Sequence, residues 1–127
     1  MMVNYGNYNE FKEKLINKRI IKWDEEELVL EDGTRVTIQC SDYDCCAYAH
    51  GHFKDVELDA MITDVSTPDV KGIPDEHTIV NQAKVTIFHN RNVVAQAEVV
   101  ADAGNGGYYY SVGSFVIDDV HYRVVDA

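Results

Sequence analysis

The sequence has 127 residues, enough for one domain with a substantial apolar core, and we expect residues 1–127 to form a single domain. Its 22 acidic and 11 basic residues give a net charge of −11, which opposes direct binding to nucleic acid or to an anionic membrane. No apolar run reaches the roughly 18 residues of a membrane-spanning helix, and residues 1–7 lack a secretory pattern, so we expect a cytoplasmic protein.

The first predicted elements are a short helix and a strand. Tyr8, Phe11 and Leu15 follow helical spacing, which predicts a helix over about 9–18. Its asparagine-rich start supplies a side chain that can cap the first turn. Arg19–Trp23 is then predicted to be a strand, followed by an acidic turn.

Residues 28–38 carry the strongest local signal, because alternating apolar residues flank an Asp-Gly pair that predicts a β-hairpin. A two-residue loop would put the apolar residues of the two strands on opposite faces. A three-residue loop that ends at Gly33 pairs Leu28 with Val36 and puts them on one face. We therefore predict the bulged hairpin, with Gly33 in the left-handed region.

The middle of the chain is less regular. Cys40–Phe53 is predicted to be a loop or a single helical turn, and the alternation over Val56–Ile62 predicts a strand. Residues 63–77 contain both prolines, which predicts an irregular surface connection, with a mobile lid as the alternative.

The last part of the chain predicts further strands joined by short turns. Residues 78–89 and 92–101 form a predicted hairpin, and Gly104–Gly107 is a predicted tight turn that leads into a tyrosine-rich strand over 108–117. The expected fold class is α+β, mainly β: an antiparallel, meander-like sheet of about eight strands with one short N-terminal helix.

The three consecutive tyrosines cannot all face the core of this strand, because successive side chains alternate. If Val112 points inward, Tyr108 and Tyr110 do the same, and Tyr109 is exposed. Such a ring can anchor a contact with another protein. A strand of this kind at a sheet edge could also pair with a second copy of the chain.

A cluster of soft ligands lies in the middle of the sequence. Cys45, Cys46, His50 and His52 are candidate metal ligands, although adjacent cysteines lack the spacing that is typical of zinc sites. The odd number of cysteines and a reducing compartment favour free thiols. Nearby aspartates oppose activation of a cysteine nucleophile. We expect no metal, no other cofactor and no catalytic residue.

Two motifs carry a resemblance to a family. The motif Asp44-Cys45-Cys46 follows the Asp-Gly hairpin, and Asn105-Gly106-Gly107-Tyr108-Tyr109-Tyr110-Ser111 leads into the late strand. Over about 15–117 the chain resembles an uncharacterised family of small bacteriophage and prophage proteins. The resemblance implies an accessory protein that acts in the cytoplasm of the host, and it supplies no catalytic residue.

These observations favour a non-enzymatic binding protein that engages a host protein, with a counter-defence role as one possibility. The contact would use the acidic face or the tyrosine-bearing loop. The candidate binding residues are Asp44, Cys45, Cys46, Asn105, Tyr108, Tyr109 and Tyr110. The alternative is a small-ligand or metal binder that uses the Cys/His segment or the glycine-rich turn.

Overall fold

A computed structural model describes residues 3–127 and shows two β-sheets packed on one core, with a single α-helix. In chain order the elements are β1 (Asn4–Tyr5), α1 (Tyr8–Leu15), β2 (Ile20–Trp23), β3 (Glu27–Leu30), β4 (Arg35–Tyr43), β5 (Tyr48–Lys54), β6 (Asp64–Val65), β7 (Asp69–Ile73), β8 (Val80–His89), β9 (Asn92–Asp102), β10 (Ser111–Ile117) and β11 (Val120–Asp126). This confirms the mainly β fold class with one short helix.

The strands are divided between two sheets. The first has the order β1-β11-β10-β4-β3-β2, and the second has the order β5-β9-β8-β6, with β7 also paired to β8. The β1–β11 pair is parallel, and the other strand pairs are antiparallel. Consecutive strands β4 and β5 lie in different sheets, which is why a single meander does not form. Among residues 3–127, no helix is long and apolar enough to cross a membrane.

Strand β10 lies at the centre of the first sheet. It pairs with β4 on one side and β11 on the other, so it is not a sheet edge at which a second copy could pair. The ring of Phe115 stacks on Phe11 from α1, at 4.6 Å between centroids, and on Phe53 from β5, at 6.0 Å. Burial of these rings joins the helix and both sheets into one core.

The hairpin of β3 and β4 has the predicted register. Leu28 pairs with Val36, and the N–H of Leu30 donates to the carbonyl of Thr34 at 2.8 Å. Gly33 has φ of +90°, a conformation that glycine adopts without steric cost. The choice between the two loop lengths is therefore confirmed.

The N-terminal helix is also confirmed, but it is shorter than predicted. The side chain of Asn7 caps it by accepting the N–H of Asn9 at 2.8 Å. The helix ends at Leu15 because the chain then leaves helical geometry, with Asn17 at φ of 67°.

The strand predicted over Val56–Ile62 is wrong. Asp55 and Asp59 both adopt positive φ and turn the chain twice. The N–H groups of Glu57 and Asp59 donate to carbonyls of other segments rather than to a ladder partner. The alternation of apolar and polar residues therefore predicted a strand that the structure does not contain.

Residues 63–77 were predicted to be irregular, and this too is wrong. They contain β6 and β7, and both of these short strands pair with β8. Pro68 and Pro74 lie immediately outside β7, where a missing N–H costs no ladder hydrogen bond.

Candidate functional site

The two motifs of the family resemblance lie side by side. The N–H of Asp44 donates to the carbonyl of Tyr110 at 2.9 Å, and the Tyr110 hydroxyl donates to Asp42 Oδ2 at 3.1 Å. The first residue of β10, Ser111, pairs with Tyr43 at the end of β4. Segments separated by more than 60 residues thus form one surface.

We call this surface the tyrosine surface. It comprises Asp42, Tyr43, Asp44, Tyr48 and Tyr110. Its three tyrosines are 59%, 57% and 45% exposed, in chain order. The rings of Tyr43 and Tyr48 meet edge to face, with centroids 6.4 Å apart. Sequence reasoning missed these two residues, because Cys40–Phe53 was not recognised as a strand, a turn and a second strand.

The predicted orientations of the three consecutive tyrosines are wrong. Strand β10 begins only at Ser111, so the tyrosines lie in the preceding turn and do not alternate. Tyr108 and Tyr110 are exposed, whereas Tyr109 is half-buried and its N–H donates to the carbonyl of Ala103 at 2.9 Å. The turn therefore displays two rings and anchors the third.

The carboxylate of Asp42 changes the acidity of its tyrosine partner. The hydrogen bond to Asp42 raises the pKa of the Tyr110 phenol, and the negative charge of Asp42 adds to this effect. The phenol therefore stays protonated at neutral pH and acts as a hydrogen-bond donor.

The adjacent cysteines lie in the turn between β4 and β5. Asp44 Oδ1 accepts the N–H of Cys45 at 2.8 Å, and the Asp44 carbonyl accepts the N–H of Ala47 at 3.0 Å. Cys46 has φ of 70°, and the sulfur atoms of Cys45 and Cys46 are 3.2 Å apart. Their mutual hydrogen bond raises the pKa of the Cys45 thiol, with smaller effects from the charges of Cys46 and Asp44.

The predicted metal ligands are not gathered. The ring of His50 stacks on Tyr48, and His52 Nε2 lies 3.8 Å from Glu98 Oε2, so both histidines face partners other than the cysteines. Among residues 3–127, no group of three or more His, Cys, Asp or Glu side chains is arranged to hold a metal ion. The structure therefore does not bring Cys45, Cys46, His50 and His52 together as one set of ligands.

The glycine-rich turn is tight, and the N–H groups of its three glycines are occupied. Gly104 donates to Asp102 Oδ1 at 2.7 Å, and Gly106 donates to the His77 carbonyl, also at 2.7 Å. Gly107 closes the turn by donating to the carbonyl of Gly104 at 3.1 Å. These groups are unavailable to an anion. The exposed Asn105 lies on the rim of a neighbouring cavity of about 350 Å³.

A larger groove of about 570 Å³ runs between β4 and β5. Tyr43, Tyr48 and His50 line one part of it, and Glu26 and Ile38 line another. The two strands approach closely at Gly51, where a Cβ atom would lie 2.9 Å from Ile38 Cγ2. The groove therefore adjoins the tyrosine surface and shares two of its rings.

A separate polar cluster joins three strands of the first sheet. Ser41 Oγ is 2.6 Å from Ser114 Oγ and 2.7 Å from His121 Nδ1. Burial lowers the pKa of His121, and the charge of Asp119 opposes this effect in part. Sequence reasoning missed this cluster, because its residues come from three strands. The cavities described above are lined by other residues.

One comparison with known proteins gives a match. A family model described as a domain of unknown function (DUF7448) matches residues 13–116, which is most of the chain. No curated protein and no solved structure matches.

Proposed function

The chain belongs to the DUF7448 family, a domain of unknown function, and we propose that it is a non-enzymatic protein that binds another protein through the tyrosine surface. The observation that carries this proposal is the joining of two remote segments by the Asp44–Tyr110 and Tyr110–Asp42 hydrogen bonds. Together with the contact of Tyr43 and Tyr48, they gather three exposed tyrosine rings and two carboxylates on one surface.

Tyrosine is suited to such a contact. Its ring buries a large apolar area at a low cost in conformational entropy, and its hydroxyl supplies a hydrogen bond. Tyrosines are accordingly enriched among the residues that dominate binding energy. The edge-to-face contact of Tyr43 and Tyr48 orients both rings before a partner arrives.

The charge around these rings selects the partner. Asp42 and Asp44 flank them, and the chain as a whole carries a net charge of −11. A basic surface on the partner would be attracted over a distance of about 10 Å at moderate salt. Arginine or lysine side chains would also stack on the exposed rings.

The family resemblance suggests where this contact takes place. It supports a phage-derived or prophage-derived accessory protein that acts in the host cytoplasm, and therefore a host protein as the partner. A counter-defence role is one form that such an interaction would take.

The test compares two double variants of the full chain as baits in a bacterial lysate. Tyr43→Ala/Tyr48→Ala removes two rings of the tyrosine surface, and Val70→Ala/Ile73→Ala removes two exposed side chains of β7. We expect a partner that is captured by the wild type and by the β7 variant but not by the tyrosine variant.

The captured protein is then purified and its affinity is measured by calorimetry at two salt concentrations. Loss of two dominant contacts of about 2 kcal/mol each weakens binding by roughly 100- to 1,000-fold, and added salt weakens it further. A partner that binds both double variants equally well would refute the role of the tyrosine surface.

A second candidate function is small-ligand binding in the groove between β4 and β5. Its volume of about 570 Å³ lies within the usual range for ligand sites, roughly 300–1,000 Å³, and aromatic rings line it. A thermal-shift screen tests this candidate. A true ligand raises the melting temperature of the wild type and of Val70→Ala but not of Tyr48→Ala.

A further inference from the structure

We propose that Cys45 and Cys46 form a two-thiol site that binds a thiophilic trivalent metalloid centre, of which arsenic(III) is the type. This inference is independent of the proposed protein contact. It needs two sulfur ligands from the chain and takes the third substituent from the ligand itself.

The distance between the sulfur atoms is the first argument. Cys45 Sγ and Cys46 Sγ are 3.2 Å apart, well beyond the disulfide bond length of about 2.05 Å. Zinc–sulfur bonds of about 2.3 Å in a tetrahedron would hold two sulfurs at roughly 3.8 Å. The observed spacing fits a narrower angle at the bridging atom, near the right angle that a pyramidal trivalent centre with a lone pair adopts.

The turn holds the two thiols in this arrangement. Asp44 accepts the N–H groups of Cys45 and Ala47, which fixes the backbone on both sides of the pair. Cys46 is held at φ of 70°, a region that non-glycine residues rarely occupy and that often marks functional positions. Gly104, which directly precedes the other motif, lies so close that an added Cβ atom would be 3.0 Å from the Cys46 carbonyl.

The site is open to a ligand and has room beside it. Both cysteines are exposed, and both are free thiols. Cys46 borders the cavity of about 350 Å³, together with His77 and Asn105. That space accommodates the third substituent of the metalloid, either a hydroxyl or an organic group.

The binding step is a condensation without electron transfer. An arsenic(III) oxide, R–As=O, reacts with the two S–H groups to give R–As(S)₂ and one water. Two S–H bonds and the As=O bond break, two As–S bonds form, and both protons leave with the oxygen.

The test uses phenylarsine oxide and the full-length protein, followed by intact-mass spectrometry. We expect one adduct per chain, which resists excess 2-mercaptoethanol and is released by a small dithiol such as dimercaptopropanol. Cys45→Ser and Cys46→Ser each remove the chelate, so the adduct should be released at roughly 100-fold lower monothiol concentration. Cys40→Ser is the matched control, and it should behave like the wild type.

Two results would overturn the assignment. The first is an adduct that Cys45→Ser retains as firmly as the wild type, or that Cys40→Ser loses. The second concerns the folded geometry and compares the wild type with and without concentrated urea. If unfolding leaves the monothiol concentration for half-release unchanged, the turn does not orient the thiols. No partner protein is needed, so these results are independent of the test of the tyrosine surface.

Discussion

Strand β10 and the turn immediately before it are neighbours in sequence but differ in burial and in the hydrogen bonds that hold them. All seven residues of Ser111–Ile117 are buried, whereas Tyr108 is 87% exposed. The strand is paired on both sides, to β4 and to β11. The turn is held instead by single hydrogen bonds to remote segments, such as that from Gly106 to His77.

The difference teaches that aromatic side chains have two separate roles in neighbouring parts of this chain. Phe115 is fully buried and joins the helix to both sheets, whereas Tyr108 is 87% exposed. The strand therefore provides the stability that allows the turn to remain polar and exposed. Substitutions in the two regions should have separable effects on stability and on binding.

The largest expected effect is on the strand. Phe115→Ala leaves a cavity between the rings of Phe11 and Phe53, and such truncations cost about 3–5 kcal/mol of unfolding free energy. Urea denaturation measures this loss. Tyr108→Ala is the matched control from the turn, and it should change stability by no more than about 0.5 kcal/mol. Similar losses for the two variants would contradict the division between the regions.

An intermediate effect is expected within the glycine turn. Gly104 has φ of +76°, and a Cβ atom there would lie 3.0 Å from the carbonyl carbon and oxygen of Cys46. Gly104→Ala should therefore cost about 1–3 kcal/mol, from backbone strain plus this contact.

The matched control for this variant is Gly33→Ala. Gly33 also has positive φ, +90°, but no atom lies within 4 Å of its added Cβ. It should show the strain of positive φ without a steric contact. The difference between the two variants in urea denaturation therefore reports the contacts of Gly104 with Cys46 and Tyr109, together with its ψ of −171°. An equal cost for both would mean that Gly104 is not packed tightly against these two residues.

Much of the strand framework could be predicted because its signals are local. The register of β3 and β4 follows from the faces of Leu28 and Val36 together with the freedom of Gly33. The helix start follows from its asparagine cap. In these elements a few neighbouring residues determine the structure.

The candidate site could be predicted only in part, because it depends on contacts between distant residues. Both motifs were recognised in the sequence, but the hydrogen bonds of Tyr110 to Asp42 and Asp44 span more than 60 positions. The orientation of the tyrosines was wrong because three glycines of positive φ, Gly104, Gly106 and Gly107, shift the start of the strand to Ser111. The periodicity of a single sequence shows neither the long-range hydrogen bonds nor the later start of the strand.

The smallest expected effect concerns the acidity of one phenol in the turn. Asp42→Asn removes the charge that, with its hydrogen bond, raises the pKa of Tyr110, so this pKa should fall toward the ordinary value of about 10. Asp44→Asn is the graded control, because the charge of Asp44 is a lesser cause of the shift. The measurement is the alkaline absorbance titration of tyrosinate, taken as the difference between each protein and its Tyr110→Phe counterpart.

The raised pKa of Tyr110 also determines how the stability of the folded protein depends on pH. The folded pKa of Tyr110 lies above the unfolded value, so its bond to Asp42 contributes fully below about pH 10 and is lost as the pH rises through the folded pKa. Asp42→Asn should flatten this alkaline loss and leave the core strand unaffected. If Asp44→Asn shifted the titration as much as Asp42→Asn, the Tyr110 phenol would not be bonded to Asp42, and the geometry of the tyrosine surface would need revision.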